Sequence, residues 1–289
     1  VSKVVPSMSV SAGDICVGDV AKVIVELPSD ASGNVTVNVD GKEITAVPVT
    51  NGNIDIFLSD LSSGNHSIEV TYSGDDRYAS ESADSSIAVE KKATHIKAAN
   101  FNRLATDYYA GERGANHIGY LLDQNNNPVI NRLVHIKVNG KVYDVKTNKK
   151  GAFKLQINLN TAKVYAYKIT FKGDDSYTAS SKSIKLKVTK KSTSIKASSK
   201  VFKARTKTKT IKITLKTVKN KYNGKIYLKK GKKITLKVKG KTYTAKTNAK
   251  GVAKFTIKLT KKGKYSATIK FSGDKTYKAS SKKIKIKIK

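Results

Sequence analysis

Residues 234–251 read ITLKVKGKTYTAKTNAKG, and their pattern decides the fold. Ile234, Leu236 and Val238 alternate with Thr235, Lys237 and Lys239, and Gly240 separates this run from a second one. Successive side chains of a strand point to opposite faces, so such a run lays one face on an apolar core and leaves the other in water. A two-residue type I′ turn needs positive φ at both central positions, and a glycine between alternating runs meets that need. The stretch predicts a half-buried β-hairpin closed at Lys239-Gly240.

The same text occurs twice more. VNVDGKEI around Gly41 and IKVNGKVY around Gly140 match LKVKGKTY around Gly240, with Asp40 or Asn139 in the place of Lys239. Gly52, Gly151 and Gly251 repeat in register, as do Gly74, Gly173 and Gly273 within SGDDRYAS, KGDDSYTAS and SGDKTYKAS; each offset is 99, then 100. Constant spacing at three separate sites marks an internal triplication. A period near 100 residues is too long for a solenoid turn and fits one whole β-sandwich.

Alternation continues in Phe255, Ile257 and Leu259, in Tyr265, Ala267, Ile269 and Phe271, and in Ile284, Ile286 and Ile288. No helical period is sustained anywhere. About seven strands in the third unit match a constant-type immunoglobulin sandwich. The fold class expected is all-β, three tandem immunoglobulin-like β-sandwich domains in an extended array, at residues 1–90, 91–190 and 191–289. The junctions Glu90-Lys91-Lys92 and Thr189-Lys190-Lys191 carry no Gly/Ser/Pro tract, so neighbouring domains should be closely coupled. Tyr265 sits as in a tyrosine corner; Tyr165 and His66 occupy the equivalent positions, so the corner is expected to be only partly kept.

The units resemble the bacterial-type Ig-like repeats of adhesin-like proteins from pseudomurein-walled methanogenic archaea. Asp123-Gln124-Asn125-Asn126-Asn127-Pro128-Val129, the stretch Gly240–Gly251 and the lysine-rich final strand carry the likeness, which spans essentially the whole chain. It implies a secreted, extracellular, wall-associated protein with an adhesive distal part, and it brings no catalytic signature.

Composition excludes several classes. Cys16 is the only cysteine, so intrachain disulfides, CxxC zinc sites and iron–sulfur clusters are ruled out. No run of eighteen apolar residues is present to span a bilayer as a helix. Val1 is not an initiator and no signal-peptide pattern precedes the first unit in this stretch. His66, His95, His117 and His135 are scattered over different repeats without a catalytic constellation, so no enzyme and no cofactor are expected. His117 and His135 form a weak metal pair, with ordinary strand residues the blander reading.

Asp123, Asn125 and Asn127 have the alternate spacing of a calcium loop, but Pro128 stands where an EF-hand has glycine and no glutamate follows at position twelve, which favours a plain Asx-rich turn. Asp75-Asp76 and Asp174-Asp175 are further calcium candidates; the third copy reads Asp274-Lys275, which favours a turn, with Tyr78, Tyr177 and Tyr277 plugging the sandwich edge. Lys–Asn isopeptide crosslinks are not expected, because no final strand contains an asparagine. Asn34-Val35-Thr36 and Asn65-His66-Ser67 are glycosylation sequons, both in the first repeat.

Charge is the most informative feature. Residues 1–90 hold 4 basic and 14 acidic residues, 91–190 hold 19 and 6, and 191–289 hold 34 and 1, giving −10, +13 and +33. Lys237, Lys239, Lys254, Lys258, Lys283, Lys285, Lys287 and Lys289 fall on outward positions of different strands. Lysines guard exposed edges against aggregation, but this density incurs self-repulsion that guarding does not require. A face of this kind should bind polyanions in a salt-sensitive way. The partner expected is anionic cell-wall polymer of the pseudomurein kind, with another cell surface or glycan at the outer end.

Nucleic acid is the rival polyanion. Against it, Arg205 is the third unit's only arginine, and Phe202, Tyr222, Tyr227, Tyr243, Phe255, Tyr265, Phe271 and Tyr277 fall mostly at strand or corner positions with no stacking platform. A third reading is a passive stalk lifting an N-terminal head. The reading adopted makes repeat three wall-proximal and lets repeats one and two project outward.

Overall fold

The computed structural model describes residues 2–105, 116–220, 224, 226, 228 and 230–289. Tyr222 and Tyr227 lie outside the described residues. Among the described residues each domain runs through eight strands. In the first they are β1 (Ser9–Ala12), β2 (Ile15–Cys16), β3 (Ala21–Glu26), β4 (Asn34–Val39), β5 (Lys42–Pro48), β6 (Asn53–Leu58), β7 (Gly64–Tyr72) and β8 (Glu81–Glu90). The second holds β9 (Thr94–Lys97), β10 (Phe101–Leu104), β11 (Asn116–Asp123), β12 (Leu133–Val138), β13 (Lys141–Lys146), β14 (Ala152–Gln156), β15 (Val164–Phe171) and β16 (Ser180–Thr189). The third repeats the series as β17 (Thr193–Lys196), β18 (Lys200–Phe202), β19 (Lys209–Thr217), β20 (Lys233–Val238), β21 (Lys241–Lys246), β22 (Val252–Ile257), β23 (Gly263–Phe271) and β24 (Ser280–Ile288).

The topology is identical three times. A three-stranded sheet, β17-β19-β22 in the third domain, faces a five-stranded one ordered β18-β24-β23-β20-β21. Eight strands appear where about seven were expected, because the opening strand divides. Its first half pairs antiparallel with β19, and its second half crosses to the other sheet and pairs parallel with β24. The arrangement also departs from the constant type. The two-residue turn at Lys239-Gly240 folds β21 back onto β20 in full register, keeping that strand in the larger sheet instead of beside β22.

Alternation determines the core. Ile284, Ile286 and Ile288 of β24 are buried while Lys283, Lys285 and Lys287 are exposed. Between the third domain's sheets, Ile213, Leu236, Phe255, Ile269 and Ile286 pack in one cluster, and full burial of each such side chain contributes about 1.5–3 kcal/mol. Equivalent clusters centre on Val37 and Ile68 in the first domain and on Ile136 and Phe153 in the second.

Gly251 shows why one glycine series repeats. Its φ is +73°, and a Cβ there would meet the Leu215 carbonyl oxygen at 2.5 Å; Gly52 and Gly151 approach the Leu27 and Leu121 carbonyls in the same way. At the hairpin turns, Asp40, Asn139 and Lys239 adopt φ of 52°, 50° and 48°, each followed by a glycine at positive φ, which is the type I′ pattern.

The domains touch directly at both junctions. Lys92 Nζ donates to Asp19 Oδ1 at 2.9 Å across the first, and that bond holds the Asp19 carboxyl below its ordinary range. At the second, Ala162 N–H donates to the Lys275 carbonyl at 3.0 Å, and the Thr276 hydroxyl to the Asn160 carbonyl at 2.6 Å. Lys92 and Lys191 are each clamped from both sides by the loop that precedes the last strand of their own domain, through bonds to Ser176 and Thr178 and to Thr276 and Lys278. Short junctions and cross-domain bonds leave little room for hinge motion.

Candidate functional site

The lysines singled out from the sequence are all exposed, and they divide between two faces. Lys237, Lys283, Lys285 and Lys287 lie on the outer face of the five-stranded sheet, with Lys239 in its hairpin turn and Lys289 at the end of its strand. Lys254 lies on the three-stranded sheet, opposite Lys212 of β19, and Lys258 follows the end of β22.

The five-stranded face also carries lysines that sequence reading passed over. Across β23 and β24 the outward pairs are Lys264 with Lys287, Ser266 with Lys285, Thr268 with Lys283 and Lys270 with Ser281. Their signal was available, since Lys264 precedes the alternating run Tyr265–Phe271 and Lys270 takes an outward position within it. Near one end of this ladder a groove of about 420 Å³ opens between β18, β23 and β24. Val201, 59% exposed, lies in it with Tyr265 and Ile286, and Lys200, Lys264, Lys285 and Lys287 rim it together with Ser199 and Ser266.

Among the described residues no Asp or Glu side chain lies on that face. Asp274, the third domain's single acid, is spent elsewhere: Oδ1 accepts from the N–H groups of Thr276 and Tyr277, and Oδ2 from Lys232 Nζ at 2.8 Å. Burial pushes its pKa up, but Lys232 and the two amides more than offset this and hold it below the ordinary range. Lys232 also stands 4.6 Å over the ring of Tyr277, which is fully buried.

The carboxylates considered for calcium face N–H and O–H donors. Asp174 repeats the Asp274 arrangement, with Ser176, Tyr177 and the Arg132 guanidinium as donors. Asp75 accepts from the amides of Ser32, Arg77 and Tyr78 and from the Tyr72 hydroxyl, and its pKa is lowered strongly, chiefly by the Ser32 amide. Burial and the charge of Asp75 push the Tyr72 phenol up to about 12. Asp123 accepts from the amides of Asn125 and Asn127 and from the Asn127 side chain. These carboxyl groups anchor turns; Asp76 and Asp175 are exposed beside them, and among the described residues no group of three or more His, Cys, Asp or Glu is arranged to hold a metal.

His117 and His135 do not come together. His117, on the three-stranded side, is buried and stacked on Phe101 with ring centroids 4.2 Å apart, and burial lowers its pKa. His135, on the other sheet, meets Asp144 at 2.6 Å. The sequon residues Asn34 and Asn65 are both exposed, at the starts of β4 and β7.

The corner is kept in all three domains, contrary to expectation. Tyr165 and Tyr265 donate their hydroxyls to the carbonyls of Thr161 and Lys261, four residues upstream, at 2.8 and 2.9 Å. His66 makes the same bond, from Nε2 to the Ser62 carbonyl at 2.8 Å, because an imidazole reaches that carbonyl as the phenol does.

Solved structures similar to this chain include three multidomain proteins. A 1.5-MDa bacterial ice-binding adhesin is 14% identical with a TM-score of 0.30 over 100% of both chains. An I-band fragment of titin is 10% identical with a TM-score of 0.39 over 100% of both. Invasin, a bacterial integrin-binding protein, is 14% identical with a TM-score of 0.44 over 99% of this chain and 60% of its own. No curated protein matches the sequence. The chain is a tandem of three immunoglobulin-like β-sandwich domains, and its residues 8–90 match the bacterial Ig-like domain (group 3).

Proposed function

We propose that the chain belongs to an extracellular, cell-wall-associated, adhesin-like surface protein in which the third domain binds anionic wall polymer and the first two project outward. The observation that carries this reading is the charge gradient of −10, +13 and +33, whose basic end displays many lysines at exposed strand positions away from its single acid, Asp274. A domain with 34 basic residues and one acid repels itself, and a polyanion relieves that repulsion while releasing its own counterions. The binding is electrostatic and non-catalytic. The resemblance of the repeats to those of pseudomurein-walled archaea makes a pseudomurein-like polymer the expected partner, and an opposing cell surface or glycan the expected target of the outer end.

Co-sedimentation of the whole chain with purified wall sacculi tests the reading. Pelleting at about 20 mM salt that is lost at about 500 mM supports it, since phosphate and carboxylate contacts of this type weaken steeply with ionic strength. A chain that stays in the supernatant at low salt sinks it. The bonded junctions also suit a second reading, a stiff spacer that binds nothing; such a spacer stays in the supernatant at both salt concentrations.

A further inference from the structure

We propose that the outer face of the third domain's five-stranded sheet is the docking surface, and that its occupant is an extended anionic polysaccharide lying along β23 and β24. This inference rests on the polyanion reading above and deepens it by naming the face and the ligand.

Equivalent positions in the three domains carry the argument. In the first domain the outward pairs of the last two strands are Asn65 with Ala88, Ser67 with Ser86 and Glu69 with Asp84, without a single cation. In the second they become Val164 with Lys187, Ala166 with Lys185 and Lys168 with Ser183. In the third they are Lys264 with Lys287, Ser266 with Lys285 and Thr268 with Lys283, followed by Lys270 with Ser281. The gradient along the chain is thus written at matched sites of one face.

The pairing has a pattern. Three of the four third-domain pairs set an ammonium opposite a hydroxyl, which avoids the cost of like charges directly across a sheet. Lys264 and Lys287 break that rule, and they do so at the rim of the groove, where Lys285 adds a further ammonium group near Val201. An anionic group seated there removes the repulsion that the free protein carries. Along β24, Lys283, Lys285 and Lys287 recur at about 6.6–6.8 Å, a straight row that suits a linear chain with regularly spaced charges.

The remaining chemistry favours a sugar chain over nucleic acid. Ser266, Thr268 and Ser281 offer hydroxyl partners between the ammonium groups, and Val201 offers an apolar contact for the C–H face of a sugar ring. Bases would need exposed aromatic faces; Tyr265 instead ties its hydroxyl to Lys261 and has the Lys239 ammonium 5.9 Å over its ring. Lysines act as point charges without the bidentate fork that arginine brings to phosphates and bases.

The test uses the full chain, polygalacturonate and oligothymidylate as probes, and two charge-matched variants. One replaces Lys264, Lys285 and Lys287 by glutamine; the other replaces Lys196, Lys212 and Lys216, which are exposed on the three-stranded sheet. The ladder variant is expected to bind polygalacturonate at least about tenfold more weakly at low salt and to show a shallower dependence of affinity on salt, while the control variant loses less than about twofold. Equal losses in the two variants overturn the site, leaving charge without a face. Tighter binding of oligothymidylate than polygalacturonate by the unmutated chain overturns the ligand. If the unmutated chain binds neither probe, the polyanion reading itself fails, an outcome visible before any variant is compared.

Discussion

His66 donates through Nε2 to the carbonyl of Ser62, while its Nδ1 lies 2.7 Å from the Asp40 carboxylate. Both partners are acceptors, so both bonds are made only by the doubly protonated imidazolium. The Ser62 carbonyl first, and Asp40 second, raise the His66 pKa above its ordinary 6.5 against a smaller opposing effect of burial. Asp40 is lowered in turn, chiefly by His66, and its Oδ1 takes the amide and hydroxyl of Ser67. The second and third domains secure the same corner with the phenol hydroxyls of Tyr165 and Tyr265.

This makes the first domain's stability pH-dependent in a definite direction. A raised folded pKa means the His66 contribution is fully present below about 6.5 and is lost as pH rises through the raised value. The lowered pKa of Asp40 gives a contribution that is present above its ordinary 3.8 and lost as pH falls through the folded value. Calorimetry of the whole chain should show the first domain's Tm declining as pH rises above about 6.5. In His66→Tyr that decline should vanish; its survival would assign the effect to another group.

Lys239 holds φ at 48° without the short polar side chain that Asp40 and Asn139 bring to the same turn position. Asparagine tolerates that region better than lysine, so Lys239→Asn should stabilise the third domain by about 0.5–1 kcal/mol. The variant gives up the contact of the Lys239 ammonium with the Tyr265 ring, a minor loss at an exposed site. Denaturant melting reads the result, and a drop in midpoint would show that the contact outweighs the backbone.

Asp274 is the hub of the loop before the last strand. In Asp274→Ala the amides of Thr276 and Tyr277 and the Lys232 ammonium lose their acceptor, at a cost of about 2–3 kcal/mol. The same occupancy by donors predicts that added calcium leaves every transition where it is, and that a chelator does nothing. A calcium-induced rise in Tm of more than about a degree would contradict the turn assignment of Asp75, Asp123 and Asp174.

The fold was legible because its signals are local. Ile284, Ile286 and Ile288 announce a face by period alone, and Gly240 announces a turn by needing no partner. The divided first strand was not legible, since the crossing at Ser198–Ser199 depends on Lys285 N–H finding the Ser199 hydroxyl, a bond across 86 positions of sequence. His66 escaped for a different reason. It differs from tyrosine as a letter, yet it delivers a donor to the same carbonyl, and only geometry shows that equivalence. The lysine face was half legible: alternation gave the outward positions, but assigning Lys254 and Lys283 to opposite sheets required the strand order.

The third domain's charge should also be visible in its stability. Self-repulsion grows roughly with the square of net charge, so +33 in residues 191–289 should cost about ten times what −10 costs in residues 1–90. Neighbouring lysines along β24 are about 6.7 Å apart, inside the Debye length of about 10 Å at 0.1 M salt and outside the 3 Å found at 1 M. Raising sodium chloride across that range should therefore lift the third domain's Tm by several degrees and leave the first domain's nearly still. Replacing Lys264, Lys285 and Lys287 by glutamine should reproduce part of the gain at low salt, because it removes the directly opposed Lys264 and Lys287 pair. If salt moves the two domains equally, the repulsion is already neutralised by bound counterions, and the ladder offers an incoming polyanion counterion release without any relief of strain.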